Sequence, residues 1–103
     1  RRTARRSAAA LGRVGSFLGN GSGDIALAFT TANRVPHFGE AAVLETKMLR
    51  DDRMDDVFEA AVEAVEEAIL SSLDHAEGMV GVRGKHVLGL RDAMKAAGVS
   101  AKG

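Results

Sequence analysis

Cysteine is absent from this 103-residue chain, so neither disulfides nor thiolate metal sites can contribute to it. Tryptophan and tyrosine are missing too, and four phenylalanines are its only aromatic rings. Apolar content therefore falls to Ala, Val and Leu, whose small side chains bury little area each. A single small domain of that make-up is expected to be unstable alone. No apolar run approaches the ~20 residues that carry a helix across a bilayer, so no membrane partner is implied. His37 and His86 lack partners at ligand spacing, which argues against a metal site.

Charge is balanced overall, with 14 basic and 14 acidic residues, but it is segregated. Residues 1–13 hold five Arg and no acid, whereas residues 51–67 hold eight acids against one Arg. The first stretch reads as a helix with Ala4, Ala8, Leu11 and Val14 on one face, stopped at Gly15. Arg1, Arg2, Arg5 and Arg6 lie off that stripe. Without stacking aromatics they read as a solvated face, and no nucleic-acid partner is expected. A second helix is predicted over residues 54–73, with Asp55 and Asp56 complementing its dipole. Phe58, Ala61, Val65, Ala68, Ile69 and Ser72 form its apolar face, widened by Val57, Val62 and Ala64. Glu59, Glu63, Glu66 and Glu67 take the outside, as solvated carboxylates rather than an acid–base or metal pair. Asp74-His75 reads as a cap or surface pair, since adjacent residues do not face each other on a helix.

The stretch around which the chain is organised is Gly19-Asn20-Gly21-Ser22-Gly23-Asp24, followed at once by Ile25-Ala26-Leu27-Ala28-Phe29-Thr30-Thr31-Ala32-Asn33. Three glycines in five positions permit a tight turn or a close approach. From that turn project the Ser22 hydroxyl and the Asp24 carboxyl. Residues 25–31 read as a strand buried on both sides, with Ile25, Leu27 and Phe29 on one face and Ala26 and Ala28 on the other. Three plainer readings compete for the turn. It could be a flexible loop, a phosphate cradle, although such loops open helices rather than strands, or, at Asn20-Gly21-Ser22, a glycosylation sequon. Residues 33–39 read as a loop, marked by Pro36 and Gly39. Residues 41–49 read as a strand, 81–84 as a turn, 85–90 as a strand, and 91–97 as a closing helix ended by Gly98. Ser22 lacks a nucleophile elbow and a recognisable histidine partner. With Asp24 it could instead orient and polarise another nucleophile, an effect worth ~10²–10⁴ in rate.

Gly21-Ser22-Gly23-Asp24 followed by Ala28-Phe29-Thr30-Thr31-Ala32-Asn33 resembles the DmpA-type aminopeptidases, also called the P1 peptidase family. The second subunit of those enzymes carries a Gly-Ser-Gly-Asp/Glu turn and an "AFSTAN"-like strand end. Weaker similarity continues through the helix from Phe58 to Leu70 and the Gly81-Val82-Arg83-Gly84-Lys85-His86-Val87 segment. The resemblance implies an α/β fold, in which residues 1–103 form a single partial domain of a four-layer α/β/β/α sandwich completed by a partner chain. That partner would be the first (α) subunit from the same precursor, in an oligomer of heterodimers. The resemblance further implies self-cleavage that frees an N-terminal Ser nucleophile, with the α-amine as local base. The chain opens on Arg rather than Met, and the expectation is that it begins partway through a gene product, after that nucleophile. Ser22 and Asp24 match the family residues that contact the nucleophile, while the oxyanion-hole Asn belongs to the first subunit. The implied activity is release of N-terminal residues from short peptides or amides, with no metal or organic cofactor. A nylon-oligomer-type amidase of the same fold and a non-catalytic interaction domain are the alternatives. The presence of both Ser22 and Asp24 argues against the second of these.

Overall fold

A computed structural model describes residues 1–21 and 23–99. Two helices running side by side form its centre. A short 3-10 turn, Ala4–Arg6, leads into α1, Ser7–Arg13, whose alanine run has high helix propensity. Gly15, at φ +101°, ends it in the left-handed conformation. The Ser16 amide donates to the Leu11 carbonyl at 3.0 Å and the Gly15 amide to Gly12 at 3.2 Å. This six-to-one and five-to-two pairing is the Schellman stop that a glycine there predicts. A second 3-10 turn, Asp51–Arg53, opens α2, Met54–His75, with Asp55 and Asp56 in its first turn.

Beyond α2 the chain forms a short hairpin. β1, Met79–Val80, pairs antiparallel with β2, His86–Val87, in the register Met79↔Val87 and Val80↔His86. Its connecting turn holds Arg83 at φ 62° and Gly84 at φ 73°. α3, Leu90–Ala96, follows at once, so the strand expected over 85–90 is shorter and its last residue starts the helix. Gly89, at the corner, is a glycine by necessity. A Cβ there would lie 2.3 Å from the Ala76 carbonyl oxygen. Gly98, at φ 71°, closes α3 with the same pairing seen at Gly15, Val99 to Met94 and Gly98 to Lys95. The described residues thus combine helices with a small antiparallel sheet, in keeping with an α/β fold.

α1 and α2 point the same way. Arg2 meets Asp51 near the start of α2, Arg6 covers Phe58 one turn in, and Arg13 meets Glu66 further along. Ala10 is fully buried in this seam and Phe58 is 8% exposed. No other hydrophobic residue among those described is buried. The buried face of α1 is therefore rotated from the predicted stripe. Ala10 is fully buried, whereas Ala8 is exposed.

Residues 25–30 carry no regular secondary structure, a bend begins at 31, and the stretch joins no ladder, which corrects the expectation of a doubly buried strand. Ile25, Leu27 and Phe29 are 98%, 90% and 88% exposed. A strand requires backbone partners at its edges and layers on its faces, and the described residues supply neither here. Residues 41–49 likewise form no ladder. The cost shows in the dimensions, because the radius of gyration is 19.9 Å against roughly 13 Å for a compact domain of this length. Produced alone, the 103-residue chain should therefore melt over a broad range with weak cooperativity, and a sharp transition at monomeric mass would contradict this.

The far end of α2 is tied to α3 by charge. Arg91 donates from Nε to Asp74 Oδ1 at 2.8 Å and from an Nη to Oδ2 at 2.5 Å. These hydrogen bonds, with the added attraction of Arg91 and His75 and against some desolvation, hold the Asp74 carboxyl below its ordinary 3.8. A lowered folded value means the contribution is complete at neutral pH and is lost as acid protonates the carboxylate. In the assembled protein, the stability gap between wild type and Asp74→Asn should be present at pH 7 and close as the pH falls below 3.8. Thermal melts across that range read it directly.

Candidate functional site

A groove of about 1050 Å³ runs between the helix pair and residues 23–28. Its helical wall is made by Ala4, Ala8 and Leu11 of the first helix and by Val65 and Ile69 of α2. The apolar stripe read from the sequence thus has a use, though mainly as the groove wall rather than as the contact with α2. Opposite stand Asp24 and the apolar residues that follow it, while Arg1 and Arg5 lie at the basic border. Asp24 is exposed there and forms no ion pair among the described residues. Ser22, the other predicted site residue, lies outside the described residues.

The approach to this turn is strained. Leu18 sits at φ 54°, with its amide donating to Ser16 Oγ at 3.2 Å. A residue with a Cβ pays about 1–2 kcal/mol in that conformation. The glycines follow in sequence, and Asp24 lies beyond them at the groove.

Sequence reasoning missed two features. The first is Asn33, whose Nδ2 donates to the Lys47 carbonyl at 2.8 Å while its Oδ1 accepts from the Lys47 amide at 2.6 Å. The signal was an Asn closing an apolar run, but its partner 14 residues on could not be read from spacing. The second is the seam of opposite charges. Glu66 was expected outside, yet its side chain is 24% exposed and pairs with Arg13 Nε at 2.7 Å. Arg6 was expected in a solvated face, yet its guanidinium stacks 3.9 Å from the Phe58 ring centre, with Arg2 at 5.3 Å. An apolar stripe cannot reveal this, because arginine covers a ring with its planar head while its charge stays hydrated.

A second, shallower hollow on α2 is lined by Glu63, Glu66, Glu67, Asp74 and His75 among others. His75 Nδ1 lies 2.9 Å from the Ser71 carbonyl, and Asp74 is engaged by Arg91, so the pair does not act as an acid–base dyad. Among the described residues, no group of three or more potential ligands is arranged to hold a metal ion, and no helix is long and apolar enough to cross a membrane.

The sequence that runs through the turn and the helix pair matches a recognised peptidase family. Residues 1–87 match Peptidase family S58, and the chain belongs to that family, as the resemblance to DmpA-type aminopeptidases implied. It is 42% identical over 84 residues to the beta-peptidyl aminopeptidase BapA of Sphingosinicella microcystinivorans, covering 82% of this chain and 21% of that protein. To the beta-peptidyl aminopeptidase BapA of Sphingosinicella xenopeptidilytica it is 37% identical over 93 residues, covering 86% and 22%. The crystal structure of the PH0078 protein from Pyrococcus horikoshii OT3 superposes with a TM-score of 0.81 at 41% identity, over 96% of this chain and 29% of that one. This chain therefore spans about a fifth of the length of the two aminopeptidases.

Contact geometry separates the two neighbouring arginines. Arg6→Gln removes the cover from Phe58 and should cost the assembled protein about 0.5–2 kcal/mol. Arg5→Gln, on the exposed side, should stay within about 0.5 kcal/mol of wild type. Denaturant titrations of the two variants should separate them, and equal stabilities would remove Arg6 from the seam.

Proposed function

We propose that this chain is part of the second (β) subunit of a serine aminopeptidase or amidase, a single partial domain whose residues position an N-terminal Ser nucleophile supplied from outside it. The reading is carried by the family match over residues 1–87, which contains the Gly21-Ser22-Gly23-Asp24 turn. The substrates would be short peptides or amides, β-peptides among them, as the names of the two aminopeptidases suggest. The first (α) subunit of the same precursor would complete a four-layer α/β/β/α sandwich, in an oligomer of heterodimers. Supporting this are the exposed side chains of Ile25, Leu27 and Phe29 and the apolar-walled groove beside them, since both call for further layers.

In this mechanism the nucleophile's hydroxyl attacks the scissile carbonyl and its proton passes to the chain's own α-amine. The Ser22 hydroxyl and Asp24 carboxylate hold and polarise that group by hydrogen bonds. The leaving amine departs protonated, and water then releases the acyl group from the nucleophile. No step requires a metal or an organic cofactor.

Ser22→Ala removes the hydroxyl and keeps the turn, and Asp24→Asn removes the charge at nearly constant volume. In the assembled enzyme each should lower turnover by about 10²–10⁴. Because the two groups act on one nucleophile, the double variant should be only slightly slower than the slower single one. Subunit processing is scored first by gel, since self-cleavage uses the same groups. Normal hydrolysis by a fully processed Ser22→Ala enzyme would return the turn to a flexible loop.

A further inference from the structure

We propose that Asn33 is a positioning residue for Asp24, clasping the backbone at Lys47 so as to anchor the far end of the segment that carries the carboxylate. The proposal rests on the reading of Asp24 given above.

A carboxamide offers one donor and one acceptor side by side, as a peptide group does. At Asn33 both are used on the same backbone residue, the Lys47 carbonyl at 2.8 Å and the Lys47 amide at 2.6 Å. The pairing imitates one rung of an antiparallel ladder, with a side chain in place of a strand. Across residues 17–49 the other hydrogen bonds among the described residues span two positions, Leu18 to Ser16 and Ala32 to Thr30. The clasp is thus the tertiary hydrogen bonding of this whole excursion. Burial agrees with it, because from residue 23 to residue 53 Asn33 is the single position that is not exposed.

The placement of the segment matters because Asp24 stands at its start, between the glycine turn and the apolar residues that follow. Bends at 31–33 lead from that segment into the clasp. Slack at the clasp would let the segment shift and carry the carboxylate with it. The glycine turn cannot prevent such a shift, being the most permissive part of the chain. Asn33, nine residues further on, is where the structure fixes it. Lys47 contributes only backbone atoms, so the side chain at that position is free to vary.

The test compares kcat and KM in the processed, assembled enzyme. Asn33→Ala should lower kcat by about 10–100-fold with KM within about threefold, the penalty of a misplaced catalytic group rather than lost binding. It should also accelerate hydrogen exchange at the Lys47 amide. Asn33→Asp retains the acceptor for that amide but sets an oxygen against the Lys47 carbonyl, and should also be slowed. In an Asp24→Asn background, Asn33→Ala should slow turnover by no more than about threefold further, because the two act through one group. A normal rate in Asp24→Asn itself would bring down the Asp24 reading and this proposal with it. A slow Asp24→Asn beside a normal Asn33→Ala would overturn the positioning role alone. Losses that multiply in the double variant would do the same. Failure of both Asn33 variants to assemble would also overturn it, leaving Asn33 a purely structural role.

Discussion

Arg6 stacks 3.9 Å from the centre of the Phe58 ring, and on that contact the described core depends. Phe58 is the one large side chain buried among the described residues, and Ala10 is the small residue that lets α1 come close to α2. Burying a Phe stabilises by about 1.5–3 kcal/mol, and a cation over its face adds about 0.5–2 kcal/mol. The ion pairs Arg2–Asp51 and Arg13–Glu66 each add no more than about 1 kcal/mol. The ring therefore holds the helices together, and the charges decide how they lie. Basic α1 has its acidic complement along α2, and the parallel arrangement pairs the two series in order.

The same ledger explains why residues 17–49 stand away from the core. That stretch holds large apolar side chains, Phe17, Ile25, Leu27, Phe29 and Phe38 among them, that find no buried place. Helices satisfy their own backbones and need only one covered face. Strands need neighbours on both edges, which are non-local by nature. A chain that spans about a fifth of two aminopeptidases and 29% of a related solved chain can thus keep its helices while its central segment forms no ladder.

What could be read from the sequence follows the same division. Local signals held. Gly15 and Gly98 mark helix ends with the pairing a left-handed glycine allows, and the acids at 55 and 56 open a helix that runs to His75. The turn at 19–24 was found because three glycines and two polar groups stand together, and its family is legible in the same residues. Contacts between distant positions were not legible. Nothing near Asn33 announces Lys47, and nothing near Gly89 announces that the Ala76 carbonyl lies where its Cβ would be. Period alone also misjudged α1, since a helix with two neighbours has two apolar faces. Ala4, Ala8 and Leu11 line the groove, while Ala10 faces the seam.

Charge segregation acquires a different meaning once α2 is seen whole. Blocks of like charge usually mark solvated surfaces, and the arginines at 1–13 and the acids at 51–67 looked like two of them. Instead, three acids along the α2 region meet three arginines from elsewhere, Asp51 with Arg2, Glu66 with Arg13 and Asp74 with Arg91. The first two draw α1 along the helix, and the third draws α3 to its far end. Exposed pairs of this kind contribute little to stability each, but together they tie α2 to its neighbours at three points along its length. An α2 kept in alignment at its start, middle and end is a rigid bar, and the groove that holds Asp24 has this bar as one wall. The turn at 19–24 can therefore be glycine-rich and permissive, because the surface against which it presents Asp24 is fixed by contacts outside the turn.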